Sequence, residues 1–310
     1  MKGLKKTAGK GNKMKRCRED FIFDTIVFVI LTILFLVVAY PLYWVIISSI
    51  SDPSAVSGGD VIWRPIGFTL KGYGEVFQND AVVRSFLNSV FYTVCGVLIN
   101  LIVTLPTAYA LSRDKFSGKK IVTIFYMVTM FFGGGLIPTY LVVKNMHMLN
   151  TMWSLILPGC LSVYNMIVVR TFFKANISEE LYEAAEIDGC TQTQFFFRIA
   201  LPLSSAIIAI LVLYYGVGHW NAYFSALVYI SDKDKYPLQL VLRNILITNE
   251  TALSQQATTE AAREALKEKQ QIIDVMKYSL IIISSIPVLV LYPFIQKHFV
   301  KGVMIGSLKG

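Results

Sequence analysis

Glu183, Ala184 and Ala185 precede Gly189, and Ile199, Leu201 and Pro202 lie beyond it, in a polar stretch between two long apolar segments. As spacing this reads E-A-A-x3-G-x9-I-x-L-P. The chemistry such a set can perform is docking, not bond-making. Ser178 is placed to cap a short helix, although Leu181 stands where a capping box would want Glu or Gln. Glu179 and Glu180 suit the positive end of that helix. Leu181, Ala184, Ala185 and Asp188 recur at helical spacing, which predicts one face with small alanines that admit close approach. Gly189 then ends the helix in a left-handed turn. A second helix, Gln192–Ala200, leads to Pro202.

Bond-making chemistry has no comparable signal. There is no H-E-x-x-H, no aspartate pair and no G-x-S-x-G, so no catalytic residue and no metal site is assigned. A phosphate-cradling loop needs G-x-x-x-x-G-K-[ST]. Here Gly118-Lys119 has Arg113 where the first glycine belongs, and Lys120 and Ile121 follow. Energy from ATP must therefore come from another polypeptide.

The other candidates are polar and aromatic residues inside apolar segments: Asn88, Asn100, Asn165, Tyr214, Tyr215, His219 and Asn221. Such groups either line a pathway or bond helix to helix. Trp220, with Tyr223 and Phe224, suits either a sugar-stacking platform or an interfacial aromatic belt. Asn165, Tyr214, Tyr215, His219, Trp220 and Asn221 form the candidate path. Gly133–Gly135 admits two readings as well, an unwound break or close helix packing.

The elements that position these residues follow from composition. Of 310 residues, 55% are hydrophobic and 16% charged, with a mean hydropathy of +0.56. A soluble domain carries about 25% charged residues. Apolar blocks at about 24–48, 86–110, 121–143, 152–172, 203–226 and 277–298 each approach the ~20 residues needed to cross a bilayer. Backbone groups in lipid must be satisfied within the segment, so these six blocks predict helices. Their continuous apolarity excludes a membrane β-barrel. The first block is too long for a cleaved signal and is followed by Tyr40, Pro41, Tyr43 and Trp44, not by a small-residue cleavage site.

The net charge of +9 does not imply nucleic acid, because basic residues sort by loop. Residues 1–20 form a Lys/Gly-rich tail expected to be disordered and to attract anionic lipid. Arg113, Lys115, Lys119 and Lys120 crowd the turn after the second block. The positive-inside rule puts both in the cytoplasm, together with the loop 173–202 and the C-terminus. Residues 21–310 then read as one membrane domain. The outer segment 49–85, rich in Gly, Pro and Asp, predicts an ordered irregular loop. The segment 251–276 predicts a helix that runs into the last block. Four cysteines show neither a disulfide framework nor C-x2-C spacing.

With its full spacing, the 183–202 motif resembles the cytoplasmic loop of permease subunits of bacterial ATP-binding-cassette (ABC) importers. Residues 133–175 (Gly-Gly-Gly-Leu-Ile-Pro-Thr-Tyr to Arg-Thr-Phe-Phe-Lys), Gly218–Phe224 and the ending Phe299–Gly310 resemble the carbohydrate branch, the MalG-like permeases of the YtcP or LplC variety. The resemblance runs from about residue 20 to the end. It implies an all-α integral membrane protein with six transmembrane helices, the type I importer (MetI-like) fold, and a coupling helix. Glu183, Ala184, Ala185, Asp188 and Gly189 are then the residues that dock on an ATPase. It further implies a second, MalF/LplB-like permease, two ATPase subunits carrying ATP and magnesium, an extracytoplasmic binding protein and a carbohydrate substrate. The outer helix 251–276 would contact that binding protein. A permease for a non-sugar solute is the alternative. A secondary carrier would need intramembrane carboxylates, and the blocks hold essentially none beyond Asp24.

Overall fold

The computed structural model describes residues 18–251, 270–291 and 293, and among these every regular element is helical. α1 (Arg18–Ser49) leads through α2 (Pro53–Gly58) and α3 (Lys71–Gln78) to α4 (Asp80–Ser112). α5 (Lys119–Phe131), α6 (Leu136–Asn145), α7 (Trp153–Ile156), α8 (Val163–Asn176) and α9 (Glu179–Ile187) follow. α10 (Gln192–Phe195) passes through a π-helical turn at Phe196–Ala200 into α11 (Leu201–Leu203). Then come α12 (Ser205–Trp220), α13 (Phe224–Tyr229), α14 (Leu238–Thr251) and α15 (Gln270–Leu291).

Among the described residues α1, α4 and α15 are each long and apolar enough to cross a membrane unaided. The remaining three apolar blocks are broken helices. α5 and α6 meet at 115°, the 153–159 helix and α8 at 51°, and the 192–203 helix and α12 at 80°. Of the two readings left open for Gly133–Gly135, the unwound break is the one the structure shows. Its cause lies in the sequence. Gly135 has φ +85° and ψ 176°, a conformation essentially closed to other residues. A Cβ added to Gly133 or Gly135 would meet nothing within 4 Å. Within this chain, then, the glycine run unwinds a helix and does not pack one.

The loop 49–85 also differs from expectation, since it contains α2 and α3. Residues read as breakers act there as helix punctuation. Asp52 caps α2, Pro53 occupies its first position, and Gly59 closes it in the left-handed region at φ +79°. The Ser54 hydroxyl and backbone N–H both donate to Asp52 and hold its carboxyl below the usual range. Trp44 and Tyr43 donate to the carbonyls of Val61 and Trp63, both at 2.7 Å, and fasten the loop to α1. At the N-terminus, α1 begins at Arg18, inside the stretch assigned to a disordered tail. Residues 1–17, with Cys17, lie outside the described residues. So do 252–269, most of the expected outer helix, and the ending 299–310. The helix α14, which precedes that stretch, had no counterpart in the sequence reading.

α4 is the central post. Ser85, Ser89, Gly96, Asn100, Thr104 and Ala108 fall on one buried face. Small residues on such a seam let neighbouring backbones approach without a hydrophobic driving force. The approach is close: a Cβ on Gly96 would lie 2.5 Å from His219 Nε2 of α12. α8 and α12 pack along this post, and their buried Met166, Val169, Phe173, Ile207 and Leu211 form one core with Leu105, Ala108 and Tyr109.

Candidate functional site

α9 is built as its residues dictate. The Ser178 hydroxyl accepts from the Leu181 N–H at 3.4 Å, which makes Ser178 the cap. Hydrogen bonds from the Ser178 hydroxyl and from its own backbone N–H keep the Glu180 carboxyl below its ordinary range. At the other end Gly189 stands at φ +78°, and its N–H bonds to the Glu186 carbonyl at 3.0 Å. A Cβ at Gly189 would meet nothing within 4 Å, so backbone conformation alone requires the glycine.

The helix presents two faces. Tyr182 is buried, and Ala185 is half-buried against the core. Leu181, Glu183, Ala184, Asp188 and Gly189 are exposed. Ala184 and Ala185 therefore part company, and the single small-residue face expected from the sequence is corrected to one outward and one inward alanine. Ile187 is 87% exposed and was missed. Its signal was a branched apolar side chain at the last position of a polar helix, where no core awaits it.

Two ion pairs and an aromatic box hold α9 against the basic turn after α4. Arg113 pairs with Glu179 at 3.1 Å, and Lys115 pairs with Glu186 at 2.9 Å. The Glu186 hydrogen bond raises the Lys115 ammonium above its ordinary value, while Lys119 lowers the Asp114 carboxyl beside it. The Arg113 guanidinium lies 4.1 Å from the Tyr182 ring centroid and 5.8 Å from those of Tyr109 and Phe195. A cavity of about 430 Å³ opens beside this cluster, bounded by Pro106, Tyr109, Lys115, Phe116 and Phe197 among others.

The motif continues into α12 through a jointed helix. Thr191 and Gln194 form a capping box that starts α10. The π turn follows, and then the bend at Ser204, whose buried hydroxyl donates to the Ala200 carbonyl at 2.7 Å. Single π turns inside helices are frequent at functional sites.

Three of the six candidate path residues, Tyr215, His219 and Trp220, bond from α12 to other helices. Asn100 of α4 donates to the Gly159 and Cys160 carbonyls at 3.1 and 2.8 Å, and its oxygen lies 2.6 Å from His219 Nε2. Tyr215 shares a 2.8 Å hydrogen bond with Thr104, and its oxygen accepts from the Ser162 N–H. Carbonyls and amides left unsatisfied where the fourth span breaks thus find partners in side chains, as a break at membrane depth requires. Trp220 is buried, donates to the Ser284 carbonyl at 2.8 Å and meets Phe86 edge-on. Asn165 is buried, whereas Tyr214 (58%) and Asn221 are exposed. Asn88 donates to the carbonyls of Asp234 and Tyr236, outside this group.

Residues 81–305 match the family model described as "Binding-protein-dependent transport system inner membrane component". A polygalacturonan/rhamnogalacturonan transport system permease protein of Bacillus subtilis, YtcP, is 38% identical over 94% of this chain and 100% of its own length. Protein LplC of the same organism is 39% identical over 92% of this chain and 95% of its own. Among solved structures, a bacterial ABC transporter involved in the import of the acidic polysaccharide alginate superposes with a TM-score of 0.83. It is 30% identical, over 92% of this chain and 99% of that one.

Proposed function

This chain belongs to the family of binding-protein-dependent transport system inner membrane components, and from that premise we propose that it is one permease of an importer that moves an oligosaccharide across the cytoplasmic membrane. The fold is the type I (MetI-like) ABC permease fold, in a multi-pass membrane protein. In this reading the complete transporter pairs the chain with a second, MalF/LplB-like permease. It adds two ATPase subunits that carry ATP and magnesium, and an extracytoplasmic solute-binding protein. Both termini face the cytoplasm.

The observation that carries coupling is the exposure of Glu183, Ala184, Ile187, Asp188 and Gly189 on a helix whose opposite side is locked into the core. Such an outward stripe on a capped, anchored helix fits a partner's groove. The turn holding Arg113, Lys115, Lys119 and Lys120 touches the same helix, which supports a cytoplasmic address for both.

The mechanism follows from the joints. ATP closes the two ATPase subunits and draws α9 with them. The 192–203 helix transmits that displacement across the bend at Ser204 to α12. The seam of α4 carries the fourth span and α12 as one body, so the two permeases rock against each other and the cavity between them changes sides. Tyr214, within α12, and Asn221, at its end, are the exposed path residues and would meet cargo. Asn165, Tyr215, His219 and Trp220 shape the wall behind them.

The test is uptake by proteoliposomes that contain both permeases, the ATPase subunits and the binding protein. Fragments of polygalacturonan, rhamnogalacturonan and alginate head the panel because relatives are named for them. Uptake should require internal ATP and the binding protein. Accumulation that persists without the ATPase subunits, or that follows an ion gradient, would overturn the reading.

A further inference from the structure

The covalent path from α9 to the membrane runs through α10, the π turn and α12. The structure holds a second path, which passes through a side chain. Arg113 follows α4 directly, and its N–H still bonds to the Ala110 carbonyl of the last α4 turn. Its side chain is only 13% exposed. It reaches across to α9, where its guanidinium carbon lies over the Tyr182 ring, 4.1 Å from the centroid, and its Nη2 forms an ion pair with Glu179 at 3.1 Å. A guanidinium can stack and pair at once, which an ammonium cannot. Tyr182 in turn meets Phe195 edge-on at 5.2 Å, and Tyr109 meets Phe196 at 5.0 Å. Arg170 of α8 donates to the Leu111 carbonyl at 3.0 Å and secures the same end of α4. α4 then reaches the broken fourth span and α12 through Asn100 and Thr104.

We propose that Arg113 is the positioning residue that delivers displacement of α9 into α4, so that α4 and α12 move together when the ATPase closes. The proposal rests on the coupling role of α9 given above. Without Arg113 the ion pair left between α9 and the turn after α4 is the exposed Lys115–Glu186, and α4 would lag. Arg113 lies against Tyr182 on the inward side of α9, away from the exposed Glu183, Ala184 and Asp188, so its loss leaves ATPase docking intact and lowers the transport gained per ATP.

The experiment uses the full transporter with its binding protein in proteoliposomes and measures sugar taken up, ATP hydrolysed and subunit association. Arg113→Gln should retain the ATPase subunits yet raise ATP consumed per sugar by about tenfold, within the range that coupling residues command. Arg113→Lys keeps the charge and loses the stack, and should fall between wild type and Arg113→Gln. If uptake and hydrolysis fall together in both variants, with the ratio unchanged and the melting temperature lowered, Arg113 is structural only and the proposal is overturned. A Gly189→Pro variant run in parallel separates the two levels. If Gly189→Pro also transports normally, the coupling role of α9 fails. If it loses the ATPase while both Arg113 variants keep a normal ratio, only the Arg113 inference fails. Should Arg113→Gln not assemble, Arg113→Lys alone decides.

Discussion

Gly189→Ala adds one methyl at a position where φ is +78° and where the new carbon touches nothing within the chain. The whole cost inside this molecule is therefore the left-handed backbone, about 1–2 kcal/mol for a residue with a Cβ. The loop is exposed, so the fold as a whole should not notice. What shifts is the fraction of molecules whose α9 ends in the docking turn. Apparent affinity for the ATPase subunit scales with that fraction. A shift of 1–2 kcal/mol weakens binding by at most about 5–30-fold. Asn tolerates the left-handed region better than Ala, so Gly189→Asn should recover most of the loss despite its larger side chain. The assay is titration of the ATPase subunit onto detergent-solubilised permease, with melting temperature as the control for folding. Equal losses for Ala and Asn, or a greater loss for Asn, would mean that the partner's groove excludes side chains there. The conformational reasoning would then be refuted.

Ile187→Glu should leave melting unchanged, within the ~0.5 kcal/mol usual for surface changes, yet weaken ATPase association, and a pull-down with a parallel melt checks both. Asn100→Leu leaves the Gly159 and Cys160 carbonyls and His219 without partners, which should cost about 1–3 kcal/mol, readable by unfolding in mixed detergent micelles. Gly96→Val drives a side chain into His219 and should lower stability by about 1–3 kcal/mol through overpacking, whereas Gly133→Ala, facing open space, should not. For pH, the lowered Glu180 carboxyl contributes above its ordinary range and loses that contribution only as acid protonates it. The raised Lys115 ammonium contributes below its ordinary range and loses that only as alkali neutralises it. The stability that α9 draws from these groups should stay flat between about pH 6 and 9, which melting temperature across that range checks.

The residues explain which features could be read from the sequence. The six blocks and the short helix before Gly189 were legible because each depends on local patterning: continuous apolarity for one, a cap and a glycine stop for the other. The break between α7 and α8 was visible only as Pro158, because a break becomes definite when a neighbour supplies the missing hydrogen bonds. Asn100, Thr104, His219 and Tyr215 come from helices more than a hundred positions apart in the chain. Arg113 and Ile187 escaped for different reasons. Arg113 looked like one more charge in a basic turn until the aromatic box placed it. Ile187 drew no notice, because a single apolar residue at the end of a polar helix stands out only once it is seen to be 87% exposed. In the loop 49–85 the same Pro and Gly that break helices also start and end them, and Asp52 decided which.

The seam of α4 also divides that helix into two regimes of sequence drift. Ser85, Ser89, Gly96, Asn100, Thr104 and Ala108 face other helices at close range. Enlargement there has nowhere to go. Leu87, Phe91, Val94, Leu98 and Ile102 on the other side are each more than half exposed in this chain. Those positions can exchange one apolar side chain for another with little effect on the helix's own packing. A lineage can therefore retune this surface to a new membrane or a new mate while the buried seam stays fixed. A deep mutational scan of α4 should show intolerance recurring every three to four positions along the seam and broad apolar freedom between.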